Sequence, residues 1–253
     1  MTPSVDDVLS KIVQAATVDE LTRTWLSSME AYGFQRVMYG LTRFPTGLMS
    51  GDPKDFFILT NFCKNYVSGF IESKLFIDAP MLRWALENVG AKSWNHLQDL
   101  KNQGLLTPSD LRVIQFNHSF GIIAGYTISF PLNSDYGRAA VSLSGGKNVT
   151  QDAVDANWEL HGEKIMLINQ VAHLKVLTLP HATFSGQNLT KRQCEVLQWV
   201  SDGKTTQDIA ILMDVSKATV EKHLRLAREV MGVETTAQAV LRMAYQNQIF
   251  RIS

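Results

Sequence analysis

The chain has 253 residues, with 24 basic and 24 acidic side chains and no net charge. That length allows one or two domains with a sizeable core. No run is apolar enough to cross a bilayer, and neutrality speaks against a strongly basic nucleic-acid coat, so any charge-dependent partner must be held by a local patch.

The opening MTPSVDDVLSKIV carries acids where a secretion signal needs bases, which predicts a cytoplasmic protein. Val5, Val8, Leu9, Ile12 and Val13 recur at helical spacing. Asp6-Asp7 opens that helix instead of following a buried strand, which excludes the acidic pair of a phosphorylated receiver domain. Asp19, Leu21, Trp25, Leu26 and Met29 predict a second helix that stops at Tyr32-Gly33. Phe34 to Thr42 alternates like a strand, and the Pro- and Gly-rich Phe44 to Pro53 reads as a loop. Phe56 to Ser73, apolar and aromatic at mixed spacing, predicts a helix. Ala79-Pro80 opens another, since proline is tolerated in a first helical turn. Thr107 is placed to cap a helix from Pro108 to Phe120.

Gly121 to Phe130 and Arg138 to Ser144 are alternating and β-branched, with Asn133 to Gly137 as a hairpin turn. Thr150 to His173 is helical, with Val154, Trp158, Ile165, Ile168 and Val171 inward. Pro180 to Gln187 reads as a linker. The expected fold class is therefore α+β in two domains. An α/β/α sandwich with a largely antiparallel sheet spans 1–175, a linker 176–187, and an all-α helix-turn-helix bundle 188–253. Cys63 and Cys194 fall in different domains, which predicts free buried thiols.

The C-terminal unit carries the sharpest pattern. Thr190 can cap a helix whose apolar side is Val196, Leu197, Trp199 and Val200, and Asp202-Gly203 ends it. Thr206 is placed to cap a second helix with Ile209, Ala210, Leu212 and Met213 inward. Asp214-Val215-Ser216 is a turn, and Ser216 can cap a third helix. That helix sets Lys217, Lys222, His223, Arg225 and Arg228 beside an inner stripe of Val220, Leu224, Ala227 and Val230-Met231. Two short helices, a tight turn and a basic third helix make a helix-turn-helix. From Asn188 onward there are nine Lys/Arg against seven Asp/Glu, a balance of only +2. One such domain neutralises few phosphates, so double-stranded DNA is best held by a homodimer.

This stretch resembles the LuxR-type DNA-binding domain at Leu189, Thr190, Arg192, Glu195, Val196, Leu197, Trp199, Gly203, Lys204, Thr205, Ile209, Ala210, Leu212, Ser216, Thr219, Val220, His223, Leu224, Gly232 and Val233. Gln193 departs from the family's Glu but still hydrogen bonds. The resemblance puts the third helix in the major groove, with Glu221 and Arg225 as base readers. Lys217, Lys222 and Arg228 fall to phosphate, with Thr190, Thr206 and Thr219 near the backbone. Domain order and spacing resemble the quorum-sensing branch of LuxR-type regulators, which carry an N-terminal autoinducer-binding domain for acyl-homoserine lactones.

Phe56, Phe57, Phe62, Tyr66, Phe70, Phe76, Trp84 and Trp94 form an aromatic-rich stretch that suits either a core or an apolar ligand pocket. Alignment on Pro80 and Trp94 puts Tyr66 at the family's pocket Trp, Phe70 at its pocket Tyr and Ala79 at its Asp. Asp78 lies one residue away. Gly125 matches a strand-opening glycine and Ser142 a polar pocket position. The candidate ligand set is thus Phe62, Tyr66, Phe70, Asp78, Ala79, Trp94, Gly125 and Ser142. Phe70 cannot donate and Ala79 cannot accept through its side chain. Two missing polar contacts, at roughly 1–3 kcal/mol each, would weaken an ordinary acyl-homoserine lactone on the order of a hundredfold. The expectation is a retuned pocket for a small apolar signal, with a ligand-independent regulator as the alternative.

No HExxH, paired CxxC, GxSxG or phosphate loop is present, and His118, His161 and His173 are scattered on predicted helices, so no enzyme and no cofactor is implied. The last helix, Thr236 to Asn247, is expected to expose Ala237, Val240, Leu241, Ala244 and Tyr245, and the Thr150 to Leu177 helix is the other candidate dimer face.

Overall fold

The computed structural model describes residues 3–42, 56–131, 138–179 and 189–245. It forms two compact units, Met1–Leu177 and Thr178–Ser253. The expected loop at Phe44 to Pro53, the turn at Asn133 to Gly137, the linker at Pro180 to Gln187 and the end of the last helix lie outside the described residues.

The first unit is built on a five-stranded antiparallel sheet of order β2-β1-β5-β4-β3. The strands are β1 (Arg36–Thr42), β2 (Phe57–Thr60), β3 (Gly90–Ser93), β4 (Gly125–Phe130) and β5 (Arg138–Ser144). Alternation sorts their side chains to two faces. On β4, Tyr126 stacks on Trp158 at 3.9 Å and Phe130 on His173 at 4.4 Å. Both partners lie on α7 (Gln151–Thr178). Two more helices, α1 (Val5–Gln14) and α2 (Val18–Ala31), belong to the same unit. Their first turns carry Asp6-Asp7 and Asp19-Glu20, where negative charge meets the positive end of the helix dipole. Trp25 of α2 donates its indole N–H to Asn169 of α7 at 3.0 Å, and the Tyr39 hydroxyl meets His173 Nδ1 at 2.9 Å. His173 is thus a core residue.

The opposite face is covered by α3 (Lys64–Glu72), α4 (Pro80–Glu87), α5 (Asn95–Asn102) and α6 (Pro108–Ser119). Thr107 and Asp110 form a reciprocal capping box at the start of α6. Asp110, fully buried, also holds Arg83 of α4 at 2.9 Å. Ser129, on the face of β4 away from α7, donates to the Ala85 carbonyl of α4 at 2.6 Å.

Several expectations are corrected. Phe56 to Ser73 is not one helix: β2 comes first, because Phe57 to Thr60 pairs with Leu41 to Met38, and only then does α3 begin. Neither β3 nor α5 stood out in the sequence. Neither cysteine is in a disulfide, but Cys63 is exposed and Cys194 half-buried.

Among its described residues the second unit has four helices, α8 (Lys191–Ser201), α9 (Thr206–Leu212), α10 (Lys217–Met231) and α11 (Thr236–Tyr245). They bury Val196, Leu197, Ile209, Val220, Leu224, Ala227, Ala239 and Met243 together. No described helix is long and apolar enough to cross a membrane.

Candidate functional site

Between the sheet and α3 to α6 lies a cavity of about 190 Å³. Its floor is the sheet face away from α7, where register places Met38 opposite Ser142, Gly40 opposite Ala140 and Thr42 opposite Arg138, with Thr127 beside Ser142. Its roof includes rings from α3 and α6. Tyr66 lies parallel to Phe62 at 4.7 Å, Phe70 at 5.7 Å and Phe116 at 5.4 Å. The Tyr66 hydroxyl donates to Asn117 Oδ1 at 3.0 Å, and burial raises its pKa, so it stays a donor across the working pH range.

Of the residues singled out in the sequence, Phe62, Tyr66, Phe70, Ala79, Trp94 and Ser142 line this cavity. Asp78 does not. It ends a short 3-10 turn, Leu75–Asp78, with its side chain 42 % exposed and 3.9 Å from Arg112. Gly125 is also outside the lining and acts on Trp94 instead: a Cβ there would stand 3.0 Å from the indole and 2.2 Å from the Leu143 carbonyl oxygen. Trp94 sits against this bare backbone, donates its N–H to the Gly125 carbonyl at 3.0 Å, and sends its indole N–H to Thr127 at 2.9 Å. Gln151 closes the arrangement by accepting from the Gly125 N–H at 2.9 Å.

Thr42, Asn117, His118, Thr127 and Arg138 supply polar groups to the lining that sequence reasoning missed. For Thr127 a signal existed, since Tyr126, Ile128 and Phe130 share one face and leave the small polar residues on the other. Of the aromatic stretch, Phe57 and Trp84 lie outside the lining. Among the described residues, no group of His, Cys, Asp or Glu is placed to hold a metal ion.

In the second unit each helix start is capped within one turn. Thr190 accepts from the Gln193 N–H while the Gln193 side chain accepts from the Thr190 N–H at 2.8 Å, so glutamine does here what the family's Glu does. The second cap is Thr205, not Thr206: the Thr205 N–H donates to Asp208 at 2.9 Å and Thr206 is the first helical residue. These contacts with Thr205 hold the Asp208 carboxyl below its ordinary range. Asp214 takes a left-handed φ of 52°, which turns the chain sharply before α10, and Ser216 caps that helix through the Thr219 N–H.

Along α10, Lys217, Glu221, Lys222 and Arg225 are exposed. Arg225 pairs with Glu229 at 2.6 Å, not with Glu221. Arg228 is half-buried and donates to Thr236 of α11 at 3.0 Å. The Thr219 hydroxyl is 2.9 Å from that of Ser216.

Two family models match the chain. Residues 17–176 match the autoinducer binding domain, and residues 187–243 match the bacterial regulatory proteins of the luxR family. The chain belongs to the LuxR-type quorum-sensing regulators. It is 32 % identical over 132 residues to the quorum sensing-dependent transcriptional regulator RpaR of Rhodopseudomonas palustris, a match spanning 51 % of each chain. To the transcriptional activator AnoR of Acinetobacter nosocomialis it is 22 % identical, over 94 % of this chain and 95 % of that one. The fold is shared with solved structures of Escherichia coli SdiA, at a TM-score of 0.56, 16 % identity and 98 % of each chain. It is shared also with CepR2 of Burkholderia cenocepacia, at 0.53, 15 % identity, 68 % of this chain and 92 % of that one. This LuxR-type regulator is thus a transcription factor, not an enzyme, with a small-molecule domain ahead of a DNA-binding one.

Proposed function

We propose that the regulator senses a compact, mostly apolar signal in the cavity and binds a palindromic promoter site as a cytoplasmic homodimer. The observation that carries the signal reading is the state of the four positions that align with the family's head-binding residues. Tyr66 is engaged with Asn117, Phe70 offers no donor, Ala79 offers no side-chain acceptor, and the Asp78 carboxylate points elsewhere. An ordinary acyl-homoserine lactone would leave its amide and carbonyls short of partners, so the preferred signal differs from it in its polar head. The open space supports this reading over a ligand-independent regulator, and its size, below the usual range of roughly 300–1,000 Å³, favours a small molecule. Thermal-shift titration with a panel of acyl-homoserine lactones, beside mass spectrometry of small molecules carried through native purification, tests it. We expect micromolar or weaker binding of the standard lactones; nanomolar stabilisation by one of them overturns the retuned pocket.

The dimer rests on a stripe along α7. Leu160, Leu167 and Leu174 recur every seven residues and are 76 %, 43 % and 61 % exposed. A seven-residue apolar repeat marks a helix seam that meets a partner helix, here a second copy. Leu167→Lys should shift the protein toward monomer in sedimentation velocity; an unchanged dimer would place the interface elsewhere, with exposed Leu241 of α11 the next candidate.

A further inference from the structure

Resting on the signal reading above, we propose that the cavity recognises a second polar group, an oxygen at the tail end of the signal, through Thr42. Thr42 is 7 % exposed and lines the cavity, yet its hydroxyl has no hydrogen-bond partner among the described residues. A buried hydroxyl without a partner is costly, and native structures keep few of them without a reason. Its position supplies the reason.

Met38 and Thr42 project from the same face of β1, four residues apart, so their Cα atoms are about 13 Å apart along the strand. Met38 is the register partner of Ser142, which with Thr127 makes the polar end beneath Trp94. Thr42 is the register partner of Arg138 at the other end of the same floor. Between the two ends the floor is Gly40 against Ala140, and nothing lies within 4 Å of where a Gly40 Cβ would stand. The floor is therefore a bare track with a polar group at each end. A signal seated with its head at Ser142 runs along the track and brings its tail to Thr42. An extended eight-carbon chain tipped with oxygen spans roughly 10 Å, which leaves about one hydrogen-bond length at the tip. The class of ligand is a medium-chain acyl compound with a hydroxyl, carbonyl or carboxylate oxygen at the end remote from its head.

The test is calorimetric titration of the full-length protein and of Thr42→Val with two probes, octanoyl-homoserine lactone and its 8-hydroxyoctanoyl counterpart. The hydroxylated probe should bind wild type about tenfold more tightly than the plain one, the factor one satisfied hydrogen bond supplies. In Thr42→Val the preference should vanish while the plain probe binds at least as well as before. Val matches Thr in shape and removes the orphan hydroxyl, so the unliganded variant should melt no lower than wild type. Equal binding of the two probes to wild type, or a preference that survives in Thr42→Val, overturns the tail contact alone. Failure of both probes to bind wild type overturns the tail contact, which requires the hydroxylated probe to be held, and leaves the retuned head, which already expects weak lactone binding, in place.

Discussion

The two units differ in how far their longest side-chain links reach, although both also cap helices locally. In the DNA-reading unit, Thr190, Thr205 and Ser216 each bond to a residue three positions on. In the sensor unit, Trp25 reaches Asn169 across 144 positions, Tyr39 reaches His173 across 134, and Tyr66 reaches Asn117 across 51. The reading head is assembled from short-range pieces that form with little loop closure. The sensor holds only when the whole sheet has closed between its helix layers. Damage at one point should spread through the sensor and stay local in the head.

The strongest challenge to that contrast is Gly125→Ala. The new methyl meets the Leu143 carbonyl oxygen at 2.2 Å, and a backbone atom in a paired strand cannot turn aside. Overpacking of this kind should cost the sensor about 3 kcal/mol, seen as an early first transition in calorimetry with the head's transition unmoved. A single shared shift would mean that the two units melt together. Next come the charges on α10. Arg225→Ala should remove about 1–3 kcal/mol of discrimination at one base pair of the site. Lys222→Ala should weaken all sequences alike and lower the salt slope by about 1. Unchanged footprints for both variants would move the reading surface to another helix.

A smaller effect separates the two adjacent threonines of α9. Thr205→Ala should destabilise the head by about 1 kcal/mol in denaturant titration. Thr206→Ala, which removes no cap, should stay within about 0.5 kcal/mol. The smallest effect is acid sensitivity. Because Asp208 is held below its ordinary value of 3.8, mainly by Thr205, its contribution is complete above that pH and is lost as pH falls through the lower folded value. In that acid window wild type should lose head stability and Thr205→Ala should lose less of it. Equal losses would show the carboxylate to be indifferent to its cap.

The same contrast explains what could be read from the residues. Thr190, Ser216, Gly203 and the Val220-Leu224-Ala227 stripe announce their roles locally, so most of the head is legible, but Leu212, inward by its spacing, is 51 % exposed. The slip from Thr205 to Thr206 came from two neighbouring hydroxyls, and Asp208 three positions after Thr205 was the clue that separates them. The sensor hides its logic in pairing. Phe57 to Thr60 is a strand only because β1 lies beside it, and Gly90 to Ser93 carries no β-branched residue and is held by β4. The ring-rich lining was visible in composition. Thr42 and Asn117 were not, because one ends a strand and the other sits on a helix in a different part of the chain.

Gly40 gives the floor of the cavity an unusual freedom. A glycine inside a strand is a weak point, and a β-branched residue there would order the backbone and favour the pleat. At this position nothing blocks the larger side chain, so Gly40→Val should make the sheet firmer while walling off the track. Stability and sensing therefore pull in opposite directions at one residue. A lineage released from its signal could gain robustness here in a single step, whereas one that keeps glycine accepts a softer sheet in return for an unobstructed passage.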